Sequence, residues 1–141
     1  MIALVSRVTS ASVTVDGQVI CALAGPGLLV LLGVHATDGP EQVALVVRKV
    51  AELRVLRGEE SVATTGCGVL VVSQFTLCGD TSRGRRPSWS AAARPEVAEP
   101  LVEAVAAGLR ERGLPVATGS FGADMAVASV NDGPFTVLVH A

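Results

Sequence analysis

The fold of this chain is decided by the stretch Val69-Leu70-Val71-Val72-Ser73-Gln74-Phe75-Thr76-Leu77. Four apolar residues run directly into a cluster of small polar side chains. A short apolar run bounded by turn residues is typical of a strand that is buried on both faces. The hydroxyl and amide groups at its carboxyl end then lie where sheet folds often bind ligands. The stretch therefore predicts either a ligand site or a buried strand that ends in an ordinary polar loop.

The length and composition predict one domain over residues 1–141 with a substantial core. The hydrophobic fraction is 50% and the mean hydropathy is +0.53. No apolar run reaches the roughly 18 residues that a membrane helix needs, and Met1–Val5 lacks the basic start of a signal peptide. Cys21, Cys67 and Cys78 have no CxxC spacing, which favours free thiols over disulfides or metal ligands. We therefore expect a cytoplasmic protein without a membrane partner.

The charge balance argues against a protein that coats nucleic acid, because the formal net charge is -2 and the pI is about 5.6. A local basic run, Arg83, Arg85 and Arg86, is either a solvated loop or a phosphate-binding group of planar donors. Aromatic residues make up only 3% of the chain, which disfavours a stacking platform for single-stranded nucleic acid.

The amino-terminal third reads as strands. Ile2–Val5 opens a strand, and Ser10–Val15 follows with strict alternation of apolar and polar residues. Asp16-Gly17 predicts a hairpin turn to a partner strand at Gln18–Leu23. After a Gly-Pro-Gly break, Leu28–Val34 has the continuous apolar character of a central buried strand.

The middle of the chain predicts a first helix. Asp38-Gly39-Pro40-Glu41 has the proline and the acidic residue that suit a first helical turn. An apolar stripe continues from Val43 at helical spacing. We interpret Leu53–Leu56 as the start of another strand and Arg57–Gly68 as a polar loop before the opening stretch.

A second helix is predicted within Pro95–Arg112, with Gly113 as its terminating residue. Pro100 removes a helical hydrogen bond, so the regular helix either begins near Pro100 or is kinked there. Three strands are predicted to follow, joined in part by a turn at Asn131-Asp132-Gly133-Pro134. Their predicted bounds are Val116–Thr118, Met125–Val130 and Phe135–Val139.

This order of elements predicts an α/β domain. Two helices cannot cover both faces of so many strands, so we expect a layered domain with the helices packed on one side. The other face of the sheet must then meet either a second sheet or a partner subunit.

The sequence offers little acid–base chemistry. Thr76 is a candidate nucleophile without an adjacent base, and His35 and His140 each stand alone. If the chain is an enzyme, it must work through backbone dipoles, a positioned water molecule or the substrate's own groups. Two other hypotheses remain open. One is a non-catalytic RNA-binding module that uses the arginine run, and the other is an ester hydrolase with Thr76 or Cys78 as the nucleophile.

Several segments together carry a family resemblance. They are Arg7-Val8 with Ala11–Gly17, Gly25–Val34, Ser73–Leu77, Asp80-Thr81 with Gly84–Ser88, Gly119–Met125 and Val130–Pro134. Through them the chain resembles the D-aminoacyl-tRNA deacylases over essentially its whole length. The chain departs from that family in a shorter Arg57–Gly68 loop and in Trp89, where phenylalanine is usual.

The resemblance implies a barrel-like fold with mixed β-sheets, and an activity. Such proteins are cytoplasmic homodimers that hydrolyse the ester between a D-amino acid and the 3′ end of tRNA, and they also remove glycine mischarged onto alanine tRNA. They act in translation quality control and use no metal and no cofactor. A Gly-cisPro element, here Gly133-Pro134, enters the active site of the other subunit and excludes L-amino acids.

The resemblance also implies roles for individual residues, with catalysis assisted by the 2′-OH of the terminal adenosine rather than by a side-chain nucleophile. The catalytic segment contains Ser73, Gln74 and Thr76. The residues implied to bind the substrate are Phe75, Phe121, Met125, Asn131, Gly133 and Pro134. Contacts to tRNA fall to Arg83, Arg85 and Arg86.

Overall fold

The computed structural model describes residues 1–82 and 84–141. Its strands are β1 (Ile2–Val15), β2 (Gln18–Ala22), β3 (Gly27–Gly33), β4 (Gly68–Ser73), β5 (Val116–Thr118) and β6 (Ala126–His140). Its α-helices are α1 (Pro40–Glu52), α2 (Val62–Thr65) and α3 (Pro95–Glu111). Short 3₁₀ turns cover Arg57–Glu59 and Phe75–Cys78.

One mixed sheet contains all six strands. The order is β2-β1-β3-β4-β5, and β6 pairs with β1. β1 pairs antiparallel with β2, β3 and β6, whereas β3–β4 and β4–β5 are parallel. The sheet curls until β2 approaches β5. The predicted α/β class and the barrel-like mixed sheet are therefore confirmed.

β1 is one long strand rather than two short ones. Its first half pairs with β3 and its second half pairs with β2, while β6 runs along the whole of its other edge. The predicted hairpin after β1 is confirmed, because Asp16 and Gly17 both have positive φ, at 49° and 76°. Two such residues in succession form the turn that matches strand twist.

Both faces of the central strands are buried, each in its own apolar core. On β3, Leu28 and Val30 face the helices, and Leu29 faces the interior of the curled sheet. The core between the sheet and the helices includes Val46, Val50, Val69, Val71, Val105 and Leu109. The interior core contains Val8, Ala11, Val13, Leu29, Leu70 and Val72. Because the sheet curls, it covers much of its own second face, the face that does not pack against the helices.

The two long helices pack against each other on one side of the sheet, as predicted. α1 begins after Gly39, with Pro40 in its first turn, and α3 ends before Gly113, whose φ is 80°. α3 begins at Pro95 and continues through Pro100, so a helix start near Pro100 is wrong. Pro100 lacks the N–H donor of a helical hydrogen bond, and packing of the buried stripe from Ala98 to Leu109 offsets this cost.

Two predictions between α1 and β4 were wrong or incomplete. Leu53–Leu56 forms no strand, because Val55 and Leu56 are buried by packing and the Leu56 N–H donates to the Glu60 carbonyl instead of to a ladder. The predicted loop Arg57–Gly68 contains a 3₁₀ turn and α2. Ser61 caps α2 by accepting the Thr64 N–H at 3.2 Å.

The predicted turn at Asn131–Pro134 was also wrong, because β6 runs through it as a single strand. Between the pairs Ser6↔Thr136 and Val8↔Asn131, β6 spends five steps where β1 spends two. The extra residues bulge out of the ladder, which is where a strand tolerates proline. The peptide bond between Gly133 and Pro134 in this bulge is cis.

Other predictions of local chemistry are confirmed. All three cysteines are free thiols, with Cys78 buried and the other two half-buried. None of the helices in the described part of the chain has the length and apolar character that crossing a membrane requires.

Candidate active site

A cavity of about 550 Å³ opens at the carboxyl ends of β3 and β4, between the sheet and α3. This volume is within the usual range for sites that bind small organic groups. Its lining is mainly apolar. The lining residues are Leu32, Val34, Val72, Ser73, Gln74, Phe75, Ala93, Pro95, Ala98, Val102, Phe121, Gly122, Ala123, Asp124, Met125 and Val127.

The opening stretch of sequence builds one wall of this cavity. β4 ends at Ser73, and the Gln74 N–H donates to the Leu32 carbonyl at 2.8 Å, which extends the pairing with β3 by one residue. The chain then tightens into the 3₁₀ turn Phe75–Cys78. Strand pairing therefore fixes Ser73 and Gln74 at the cavity.

The structure brings together five of the residues predicted for the site: Ser73, Gln74, Phe75, Phe121 and Met125 all line the cavity. Thr76 does not line it. Its side-chain oxygen accepts a hydrogen bond from Gln74 Nε2 at 2.5 Å, so Thr76 contacts a residue of the wall.

The remaining predicted residues of the same chain lie elsewhere. Val8 pairs with both Asn131 and Gly27, so the bulge of β6 lies beside the amino end of β3. Ser73 pairs with Leu32, five residues further along β3. At about 3.3 Å per residue this separation is about 16 Å. Within one chain, Gly133 and Pro134 are therefore at the opposite end of the sheet from the cavity.

A buried arginine holds the bulge of β6 in place. Arg7 is only 6% exposed, and its guanidinium donates to the carbonyls of Asp132 at 2.8 Å and Gly133 at 2.9 Å. Its third donor bonds the Val55 carbonyl at 3.1 Å, and the Phe135 ring lies 4.8 Å from its charge. Sequence reasoning missed this role, although Arg7, the one charged residue of β1, was a visible signal.

Side chains of the bulge are also tied within the chain. Asn131 donates to the Arg7 carbonyl and accepts from Thr136, both at 2.9 Å. Arg57 donates twice to the Asp132 carboxylate. The hydrogen bond from Arg57, followed by the positive charges of Arg57 and Arg7, holds the pKa of Asp132 below its ordinary value despite partial desolvation. Gly133 and Pro134 themselves remain exposed.

The described residues that line the cavity include no paired acid and base. Asp124 is the one ionisable side chain among them. Burial raises the pKa of the Cys78 thiol, which disfavours the nucleophilic thiolate. The imidazole of His35 lies 3.9 Å from Asp38, a residue that also accepts a hydrogen bond from the Met1 nitrogen. These placements weaken the hypothesis of a Thr76 or Cys78 nucleophile.

The polar loop after the opening stretch folds back on itself. Hydrogen bonding to the Ser82 hydroxyl, and then to the Ser82 N–H at 2.8 Å, holds the pKa of the Asp80 carboxyl below its ordinary value. Arg85 and Arg86 are exposed, whereas Arg83 lies outside the described residues. At the mouth of the cavity, Phe75 and Trp89 pack edge to face with ring centres 5.9 Å apart. Both rings are substantially exposed.

No group of three or more His, Cys, Asp or Glu side chains is arranged as a metal site within residues 1–82 and 84–141. Independence from metals and cofactors stays a prediction.

Comparison with known proteins decides the family. The family model described as D-Tyr-tRNA(Tyr) deacylase matches residues 4–140. The chain belongs to this family. A D-aminoacyl-tRNA deacylase from Kineococcus radiotolerans is 64% identical over 141 residues, which is 100% of both chains.

Solved structures of similar proteins agree with the fold. One described as c-Myc DNA Unwinding Element Binding Protein has a TM-score of 0.92 and 38% identity, and the match covers 100% of this chain and 99% of that one. Another, described as a probable eukaryotic D-amino acid tRNA deacylase, has a TM-score of 0.80 at 16% identity. It covers 98% of this chain and 97% of that one. At that identity it supports the fold alone.

Proposed function

We propose that this chain is a D-aminoacyl-tRNA deacylase, an enzyme that hydrolyses the ester between a D-amino acid and the 3′ end of tRNA. The observation that carries the proposal is the cavity formed by Ser73, Gln74 and Phe75 in a member of this family. Further parts of the proposal are a single domain over residues 1–141, a cytoplasmic location and a role in translation quality control.

The mostly apolar lining suits an aminoacyl group, and its few polar groups suit the ester. The pair Phe75 and Trp89 offers an apolar surface for the terminal base at the mouth. In the reaction, water adds to the ester carbonyl and the bond to the ribose oxygen breaks. The amino acid leaves as a carboxylic acid, and the ribose oxygen takes a proton.

The chain's part in this step is to position the ester. The 2′-OH of the terminal adenosine assists the attacking water, since the described lining of the cavity supplies no paired acid and base. Ser73 and Gln74 hold the ester, and Thr76 orients the Gln74 amide through their hydrogen bond. Arg85 and Arg86 contact tRNA near the mouth, and the same role is proposed for Arg83.

We further infer a homodimer in which Gly133-Pro134 of one chain completes the cavity of the other. Two observations support it. The bulge lies about 16 Å along the sheet from its own cavity. Large apolar side chains are also exposed on β2 and β6, as at a surface that a partner covers. They are Val19, Ile20, Val130, Phe135 and Leu138.

In this arrangement the backbone of Gly133-Pro134 forms a wall that an L-side chain would strike. A steric wall discriminates more strongly than favourable contacts to the D-side chain alone. Glycine has no side chain to strike the wall, so glycine mischarged onto alanine tRNA passes the same filter. Asn131 supports the wall through its bonds to Arg7 and Thr136.

The purified chain tests the proposal directly. We expect it to release D-amino acid and glycine from charged tRNA without added metal, and to leave the L-aminoacyl ester intact. Equal rates on the two enantiomers of one amino acid would refute the filter. Tight tRNA binding without release of any amino acid would instead favour a non-catalytic nucleic-acid-binding protein. That second candidate is kept because the 38% identical structure is described as a DNA-element-binding protein.

A further inference from the structure

A basic depression lies at the carboxyl end of α1. Arg48, Lys49, Glu52, Leu53 and Arg54 line a shallow hollow of about 310 Å³. The three cations and Glu52 are exposed, and Leu53 is half-buried. The candidate active site uses none of these residues.

The hollow carries a net positive charge. Glu52 is the one acid among its described lining residues, and Arg112 neutralises it at 2.8 Å. Among the described residues, none of Arg48, Lys49 and Arg54 forms an ion pair with a carboxylate. One cation at the end of α1 would satisfy the helix dipole. Three cations around one hollow, in a chain of net charge -2, suit a polyanion.

The position of the hollow links it to the bulge of β6. Arg54 directly precedes Val55, whose carbonyl accepts a hydrogen bond from Arg7, and Arg7 also holds Asp132 and Gly133. Arg57, three residues after Arg54, bonds the Asp132 carboxylate. The hollow therefore lies at the same end of the sheet as Gly133-Pro134. It is far from the cavity of its own chain.

We propose that Arg48, Lys49 and Arg54 of the chain that contributes Gly133-Pro134 bind backbone phosphates of the tRNA whose 3′ end occupies the other chain's cavity. The inference rests on the cross-subunit arrangement proposed above. Double-stranded RNA is bound mainly through its backbone and shape, and arginine and lysine are the usual donors to phosphate. Each tRNA then contacts both subunits.

Neutralising the hollow tests the proposal. In Arg48→Gln/Lys49→Gln/Arg54→Gln we expect kcat/KM for D-aminoacyl-tRNA to fall about tenfold or more. The slope of log kcat/KM against log salt should become shallower by about 0.9 for each phosphate that the variant no longer neutralises. Hydrolysis of a D-aminoacyl-adenosine ester, which has no phosphates, should be unchanged. The opposite change, Glu52→Gln, should steepen the slope.

A matched pair of heterodimers tests which subunit acts. One chain carries Ala123→Trp to fill its cavity, so only the other cavity works. The triple variant is placed either on the filled chain or on the open chain, which gives identical composition and net charge. We expect the tenfold loss when the triple variant is on the filled chain and a change of less than twofold when it is on the open chain. Equal losses, or no loss in either dimer, would overturn the proposal.

The same heterodimers separate this inference from the proposed function. Gly133→Val replaces the triple variant in each placement. If Gly133→Val blocks activity only on the filled chain while the triple variant has no effect there, the phosphate contact is wrong and the cross-subunit site stands. If Gly133→Val acts only from the open chain, the cross-subunit arrangement itself fails.

Discussion

Replacing Arg7 by methionine should loosen the bulge of β6 while leaving the cavity intact. Arg7 makes three charge-assisted hydrogen bonds to the carbonyls of Val55, Asp132 and Gly133, at 2.8–3.1 Å. Methionine fills a similar volume and donates none of them. Because Arg7 is on β1, far from Ser73, the variant changes the support of Gly133-Pro134 without changing the residues that line the cavity of the same chain.

The magnitude follows from burial. Bonds from a charged donor are worth about 1.5–3 kcal/mol each, and breaking a buried charged network costs about 3–5 kcal/mol in total. The lower figure corresponds to a fall in Tm of about 10 °C for a chain of this size. Two of the three bonds hold Asp132 and Gly133, so at least about 1.4 kcal/mol, or tenfold, should disappear from the discrimination between enantiomers.

The assay compares deacylation of D- and L-aminoacyl-tRNA with the same amino acid at a temperature well below the Tm of the variant. We expect the ratio of rates to fall at least tenfold, chiefly through faster L-hydrolysis. Arg57→Met is the matched control, since it removes an exposed arginine that pairs with Asp132 of the same bulge and should change the ratio less. A variant that loses stability but keeps the wild-type ratio would refute the argument, and Arg7 would be structural only.

Three further predictions follow from other contacts. Gly27→Ala would place its Cβ 2.1 Å from the Gly68 carbonyl oxygen, so the free energy of unfolding in urea should fall by about 2 kcal/mol or more. Gly25 has open space around it, so the control Gly25→Ala should change the free energy of unfolding by less than about 0.5 kcal/mol. Folding lowers the pKa of the Asp132 carboxyl, so the stabilisation that Asp132 provides should be complete above about pH 4 and should vanish as the pH falls through the pKa of the folded state. A difference in unfolding free energy between the wild type and Asp132→Asn that persists unchanged at pH 2 would contradict this. Thr76→Ala should lower kcat by less than about tenfold, against the roughly 10²–10⁴ typical of a missing acid or base, because Thr76 does not line the cavity; a larger loss in single-turnover kinetics would make it catalytic.

Local sequence patterns predicted the elements whose hydrophobic periodicity matches the way they are buried. β3, α1 and β5 lie close to their predicted positions because a buried strand and an amphipathic helix each show their burial in sequence. The segment Asn131–Pro134 failed for the opposite reason. Its residues favour a turn, but pairing with the long strand β1 on both sides of the bulge overrides that local preference.

The sequence likewise predicted one part of the candidate site and missed others. Ser73–Phe75 could be found because the end of a buried strand predicts where polar groups collect. The bonds from Arg7 to Asp132 and Gly133 join residues 125 and 126 positions apart, and no local pattern indicates them. The sequence did not indicate the lining that comes from α3, including Ala98 and Val102, because cavity-lining and core residues of a helix have the same apolar periodicity.

The central claim is that Gly133 of one chain acts in the cavity of the other, and complementation tests it most directly. Ala123→Trp fills the cavity, and Gly133→Val extends a side chain from a position with open space within its own chain. Each homodimer should be inactive. The purified heterodimer of the two variants keeps one open cavity facing one unchanged Gly133, so it should recover about half of the wild-type activity of a two-site symmetric dimer. A heterodimer that remains inactive would place Gly133 in the cavity of its own chain and contradict the account.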